Sequence, residues 1–206
     1  MKKIIFVVAL LLSSFTASAV TVNAVNSGWY KSTGNNNGTT NNINAVGNQN
    51  NWLGFDLSTV TGTILSATLE VGSDNANLSG QAFKWSEVST SYGLLGVINS
   101  SLITTDLGSG NVFATGIHQA GVINSFTLNA LGIASLNAAT SFWAIGGHNS
   151  TNHNAFGWTG GVSTQDHIKL VLNTGVSEVP IPAAAFMFAP ALLGFMGLRR
   201  RAKNKA

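Results

Sequence analysis

Between Trp52 and Val71 the chain alternates apolar and polar residues with a period of two. In "WLGFDLS", Leu53, Phe55 and Leu57 fall on one side, with Trp52, Gly54 and Asp56 on the other. In "GTILSATLEV", Leu65, Ala67, Leu69 and Val71 share a face, opposite Ser66, Thr68 and Glu70. Successive side chains of a strand point to opposite faces, so both stretches predict half-buried strands that need a second layer to cover them. Further strands are expected at Val20–Val25, Trp29–Thr33, Ala82–Val88, Val112–Ile117, Ile123–Leu128, Ser141–Ile145 and His167–Leu172. Clusters rich in Gly, Asn, Ser and Asp separate them, among them "GNNNGTTNN", "GSDNANLSG", "DLGSGN" and "GGHNSTNHN". One stretch departs from this pattern. "NALGIASLNAA" has apolar residues at near-helical spacing behind a capping Asn129, which predicts one short helix over Ala130–Ala138. Many short strands and one helix predict an all-β fold, an antiparallel β-sandwich of jelly-roll type.

The two ends of the chain have a different character. Lys2 and Lys3 precede an apolar run from Ile4 to Leu12, and Ala17-Ser18-Ala19 offers a small-residue cleavage site. These three parts in this order predict a secretory signal peptide over residues 1–19, with Ala17 and Ala19 as the cleavage residues and a signal helix before them. At the other end, Val179-Pro180-Ile181-Pro182 must be extended, because both prolines fix φ and lack an N–H. Residues 183–198 then carry no charge, and Arg199, Arg200 and Arg201 follow within a basic end at 199–205. A helix over 183–198 would be roughly 24 Å long, against a bilayer core of about 30 Å. The expectation is a short transmembrane helix whose arginines stay cytoplasmic and whose body faces outward.

Charge supports this division. Seven of the ten basic residues lie in the two end segments. The body, residues 20–175, keeps Lys31, Lys84 and Lys169 against six carboxylates, a balance of −3. Without a basic stripe, nucleic acid is not an expected partner. The chain has no cysteine, which removes thiol catalysis, thiolate metal sites and a disulfide framework.

"VPIPAAAFMFAPALLGFMGLRRRA" resembles a PEP-CTERM sorting signal, in the variant that reads Val-Pro-Leu/Ile-Pro in place of Val-Pro-Glu-Pro. The resemblance covers residues 176–206, with Val179, Pro180, Ile181 and Pro182 as the sorting motif and Arg199–Arg201 as anchor and stop. It implies an exported protein of an exopolysaccharide-producing Gram-negative bacterium. Signal peptidase would process one end. Exosortase, a membrane cysteine transpeptidase, would recognise and cut the other. The protein would rest transiently in the inner membrane and end at the cell surface or in a biofilm matrix. "WLGFDLSTVTGTILSATLEV", "DLGSGNVFATG" and "TLNALGIASLNAATSFWAIGG" are similar to a body found in many such proteins and to secreted β-sandwich modules. Some of those modules bind carbohydrate, and none supplies catalytic residues to carry over.

Candidate chemistry within the body is sparse. Gly-x-Ser-x-Gly is absent, and Asp56 with Glu70, on strands expected to be neighbours, is the only evident carboxylate pair. Asp56 has a simpler use at the surface or in a turn. His148 and His153 lie five apart but lack the cysteines of structural zinc sites. No catalytic or metal site is therefore expected, and the chain is read as a non-enzyme. Structural Ca²⁺ held by loop oxygens is the one cofactor left open. Aromatic residues offer the remaining clue, a glycan-stacking platform. Trp52 lies opposite the buried face of its strand and is expected to point outward, so it is the first candidate, joined by Trp29 and Tyr30. Extracellular polysaccharide is the corresponding partner.

Overall fold

The computed structural model describes residues 17–36, 49–73, 79–149 and 167–175. All of them belong to one unit, which ends at Val176. Residues 1–16 of the expected signal, His153, Trp158, the motif Val179–Pro182, the helix expected over 183–198 and Arg199–Arg201 lie outside the described residues. Among the described residues, no helix is long and apolar enough to cross a membrane.

Eight antiparallel strands form the body: β1 (Ala17–Lys31), β2 (Gln49–Asp56), β3 (Thr63–Gly72), β4 (Gln81–Glu87), β5 (Val112–His118), β6 (Ile123–Thr127), β7 (Phe142–Asn149) and β8 (Ile168–Gly175). Their order along the ladder is β5-β4-β7-β2-β1-β8-β3-β6. The fold is an all-β sandwich with some barrel character. Strand β1 joins its two layers, because its first half pairs with β8 and its second half with β2. The register slips between Ala24 and Asn26, and an extra residue there lets the strand turn from one layer into the other. The strands expected at Val20–Val25 and Trp29–Thr33 are thus one strand. That strand also reaches back through the expected cleavage site, with Ala17, Ser18 and Ala19 opposite Gly175, Thr174 and Asn173.

The core between the layers draws on every strand. Leu53 and Phe55 meet Leu69, Val71, Phe83, Trp85, Phe113, Phe126, Ile145, Leu170 and Leu172 there. The expected faces of β2 hold, with Leu53, Phe55 and Leu57 all buried. In β3, Ala67, Leu69 and Val71 face the core as expected, whereas Leu65 is 60% exposed and Ile64 takes its place. The register of β3 on β8 shifts between Ile64 and Ser66, so alternation reverses across Leu65. A one-residue slip exchanges the two faces of a strand.

Among the described residues, two α-helices complete the body. Helix α2 (Ala130–Ala138) lies where the sequence predicts it, and the Asn129 side chain accepts hydrogen bonds from the Leu131 and Gly132 N–H groups. Helix α1 (Ser101–Ser109) was not expected. Its last turn falls on "DLGSGN", which reads as a loop. Likewise "GGHN" is the end of β7 and not part of a turn.

Candidate functional site

Helix α1 and the segment before it decide which side chains of the sheet β2-β7-β4 meet solvent. They lie on its outer face and form a second, smaller core of Tyr30, Trp52, Leu95, Ile103 and Leu107. The helix can approach because the sheet has glycines beneath it. A Cβ on Gly146 would collide with the Leu107 carbonyl, and one on Gly54 would enter the Tyr92 ring. The connection leading to α1 is tied down by Asp106, whose carboxylate accepts from the Ser89 and Thr90 N–H groups and from the Thr90 hydroxyl at 2.7–3.1 Å.

This cover corrects the expected glycan platform. Trp52 does point away from Leu53 and Phe55, but it is only 1% exposed, with Tyr92 edge-on at 6.4 Å. Tyr30 has no exposed surface. Its hydroxyl accepts from the Gly96 N–H at 2.8 Å and donates to the Ile98 carbonyl at 3.0 Å. Burial raises the Tyr30 pKa above its ordinary value of 10.0, and the Gly96 hydrogen bond opposes the shift. Neither ring is a surface for sugar. Trp29 lies on the opposite, inner face, beside Asn51, and is half-buried. The Lys31 ammonium sits 5.4 Å from its ring centroid. Trp85 and Trp143 are core residues.

Among the described residues, the carboxylates do not converge. Strands β2 and β3 sit in different layers, so Asp56 and Glu70 are not neighbours. Asp56 Oδ1 accepts from the Ser58 N–H at 2.9 Å, and hydrogen bonds from Ser58 hold its pKa below the usual value. That is the plain turn-binding use of Asp56. Glu70 pairs with Lys169 at 3.1 Å. Among the described residues, no three His, Asp or Glu side chains group as metal ligands would.

Two polar arrangements remain, and sequence reading singled out neither. Ser73 Oγ and His118 Nε2 lie 2.6 Å apart and link the end of β3 to the end of β5, across the two layers. His118 has no exposed surface. On the outer face, His148 of β7 stands next to Asn50 of β2 and directly opposite Lys84 of β4, which in turn faces Thr115 of β5. The Asn50 amide donates to the Thr104 carbonyl of α1 at 2.6 Å, which fixes its orientation. Its oxygen therefore meets His148 Nδ1 at 2.6 Å as an acceptor. An amide oxygen only accepts, so Nδ1 carries the hydrogen and Nε2 is the nitrogen that titrates. Burial, then the Lys84 charge, holds the His148 pKa below 6.5. No signal in one sequence could bring residues 50, 84 and 148 together, because only the ladder order does so.

No protein-family model matches the chain, and no curated protein matches it.

Proposed function

We propose that this chain is an exported, non-enzymatic protein of the cell surface or exopolysaccharide matrix, sorted by its C-terminal segment and cut there by exosortase. The observation that carries this reading is the ordered tail: Val179-Pro180-Ile181-Pro182, an uncharged stretch over 183–198, then Arg199–Arg201. The end of the body supports it. Strand β8 finishes at Gly175, and three residues separate it from Val179. Signal peptidase and exosortase are the processing partners, and the inner membrane holds the precursor. The layer orders β1-β8-β3-β6 and β2-β7-β4-β5 support a jelly roll, two four-stranded sheets of interleaved connection. A Pro180→Ala, Pro182→Ala double variant should accumulate as a full-length, membrane-associated precursor. Release and trimming at the normal rate would contradict the reading.

A second reading, carbohydrate binding, is favoured by Trp29. A half-buried indole with an ammonium 5.4 Å from its ring centroid places partial stacking surface beside a cationic donor. Loss of polysaccharide retention in Trp29→Ala, at unchanged thermal stability, would support this reading. Unchanged retention would remove it.

A further inference from the structure

The body has only three lysines, and their surroundings differ. Lys31 lies over Trp29, and Lys169 is paired with Glu70. Lys84 stands opposite His148 in the ladder, and the described residues give it no carboxylate. Protonation of His148 would set like charges directly opposite one another across strands, which is destabilising, and acids outnumber lysines in this body. An arrangement that breaks a local rule without structural gain points to a functional position.

The surroundings of this pair suit an anionic guest. Lys84, His148 and Asn50 are half-buried, while Thr115 beside them is exposed. His148 is held in place from behind through Nδ1, by Asn50 and the Thr104 carbonyl. This relay needs Gly108, because a Cβ there would come within 2.7 Å of the Asn50 amide nitrogen. His148 Nε2 has no hydrogen-bond partner among the described residues. Among the described residues, the groups facing His148 are Lys84 from β4 and the neutral Asn50 from β2. From α1 comes the Thr104 carbonyl, through Asn50.

We propose that Lys84 and His148, with Thr115 beside them, form a binding site for the carboxylate of an acidic sugar polymer. Lys84 supplies a fixed positive charge. His148 donates from Nε2 once protonated, so the guest both fills the site and relieves the repulsion between the two cations. The site lies on the opposite face of the sheet from Trp29. It deepens the matrix reading by naming an acidic polysaccharide as partner, yet it can be tested without any evidence of export.

The test is calorimetric titration of the protein recovered from its producing cells with polygalacturonate, at pH 5.5 and 7.5. Neutral dextran and dextran sulfate serve as further probes. Polygalacturonate should bind about fivefold more tightly at pH 5.5, the equivalent of one added ion-pair contact. Lys84→Met should abolish binding, and His148→Gln should remove the pH dependence. Lys169→Met, which changes net charge equally, should do neither. NMR titration of the His148 ring should show its pKa rising when polymer is added. Equal binding of dextran, equal loss with Lys169→Met, or a His148 titration unmoved by polymer would overturn the proposal. Binding of dextran sulfate alone would also overturn it, because the guest would then not be a carboxylate. Failure of the tail to be processed would refute the sorting reading and leave this result standing.

Discussion

At the scale of single residues, His148 and Trp52 show how far a local pattern reaches. His148 stands in a Gly- and Asn-rich stretch that looks like a loop, and its histidine looks like a loop polar group. The ladder makes it instead a half-buried ring facing a lysine, with its pKa lowered by desolvation and by Lys84. The sign of the effect on stability follows. The unfolded chain binds a proton near pH 6.5, while the folded chain resists it to lower pH. This contribution to stability is therefore complete above about pH 6.5 and is lost as pH falls from there towards the lowered folded value. Melting temperature followed from pH 7.5 to 5 should fall less steeply for His148→Gln than for the parent chain, and equal slopes would deny the desolvated histidine. Trp52 teaches a different lesson. Alternation correctly assigns it to the face opposite Leu53 and Phe55. It cannot say whether that face is bare or covered, because the cover comes from residues forty or more positions away. Truncation at Trp52 should cost about 3–5 kcal/mol in chemical denaturation, as for a buried large aromatic. A cost near zero would mean that the ring is at the surface after all.

Among the elements, the contrast between the two helices explains what was legible. Helix α2 carries its own signals, a capping asparagine and several alanines, and its bounds can be read before any tertiary contact is known. Helix α1 is "SLITTDLGS", rich in β-branched residues, serine and glycine, all poor helix formers. It forms because Ile103, Thr104 and Leu107 are buried against the sheet, with Gly146 leaving room for the helix backbone. Tertiary packing overrides weak propensity there. Gly146→Ala should therefore destabilise the protein by about 1–3 kcal/mol, through a clash with Leu107. Hydrogen exchange should rise first in α1, while the ladder β3·β8 stays protected. Uniform loss of protection would show that α1 is not a separate layer. The bulges at Val25 and Leu65 were equally illegible, since a residue inserted into one strand shows only against its partner's register. At the start of β1 the ladder includes Ala17–Ala19, so a folded precursor would present the bond after Ala19 to signal peptidase as part of a sheet. Refolded precursor should resist cleavage that the unfolded chain undergoes readily, and equal rates would contradict the ladder at that position.

For the whole molecule, period-two patterning was enough for an all-β sandwich, because it demands one covered face on each sheet. Strand order was not, since every strand of such a sandwich alternates alike. The order brings the two ends of the body together, Ala17 opposite Gly175. In the proposed function the tail is an address, removed after use. The most direct test is the intact mass of the protein from its native cells, with and without exosortase. A form beginning at Val20 and ending between Val179 and Pro182, found only when exosortase is present, is the result predicted. A chain that still ends at Ala206 in both strains would contradict the claim and make the tail a permanent anchor.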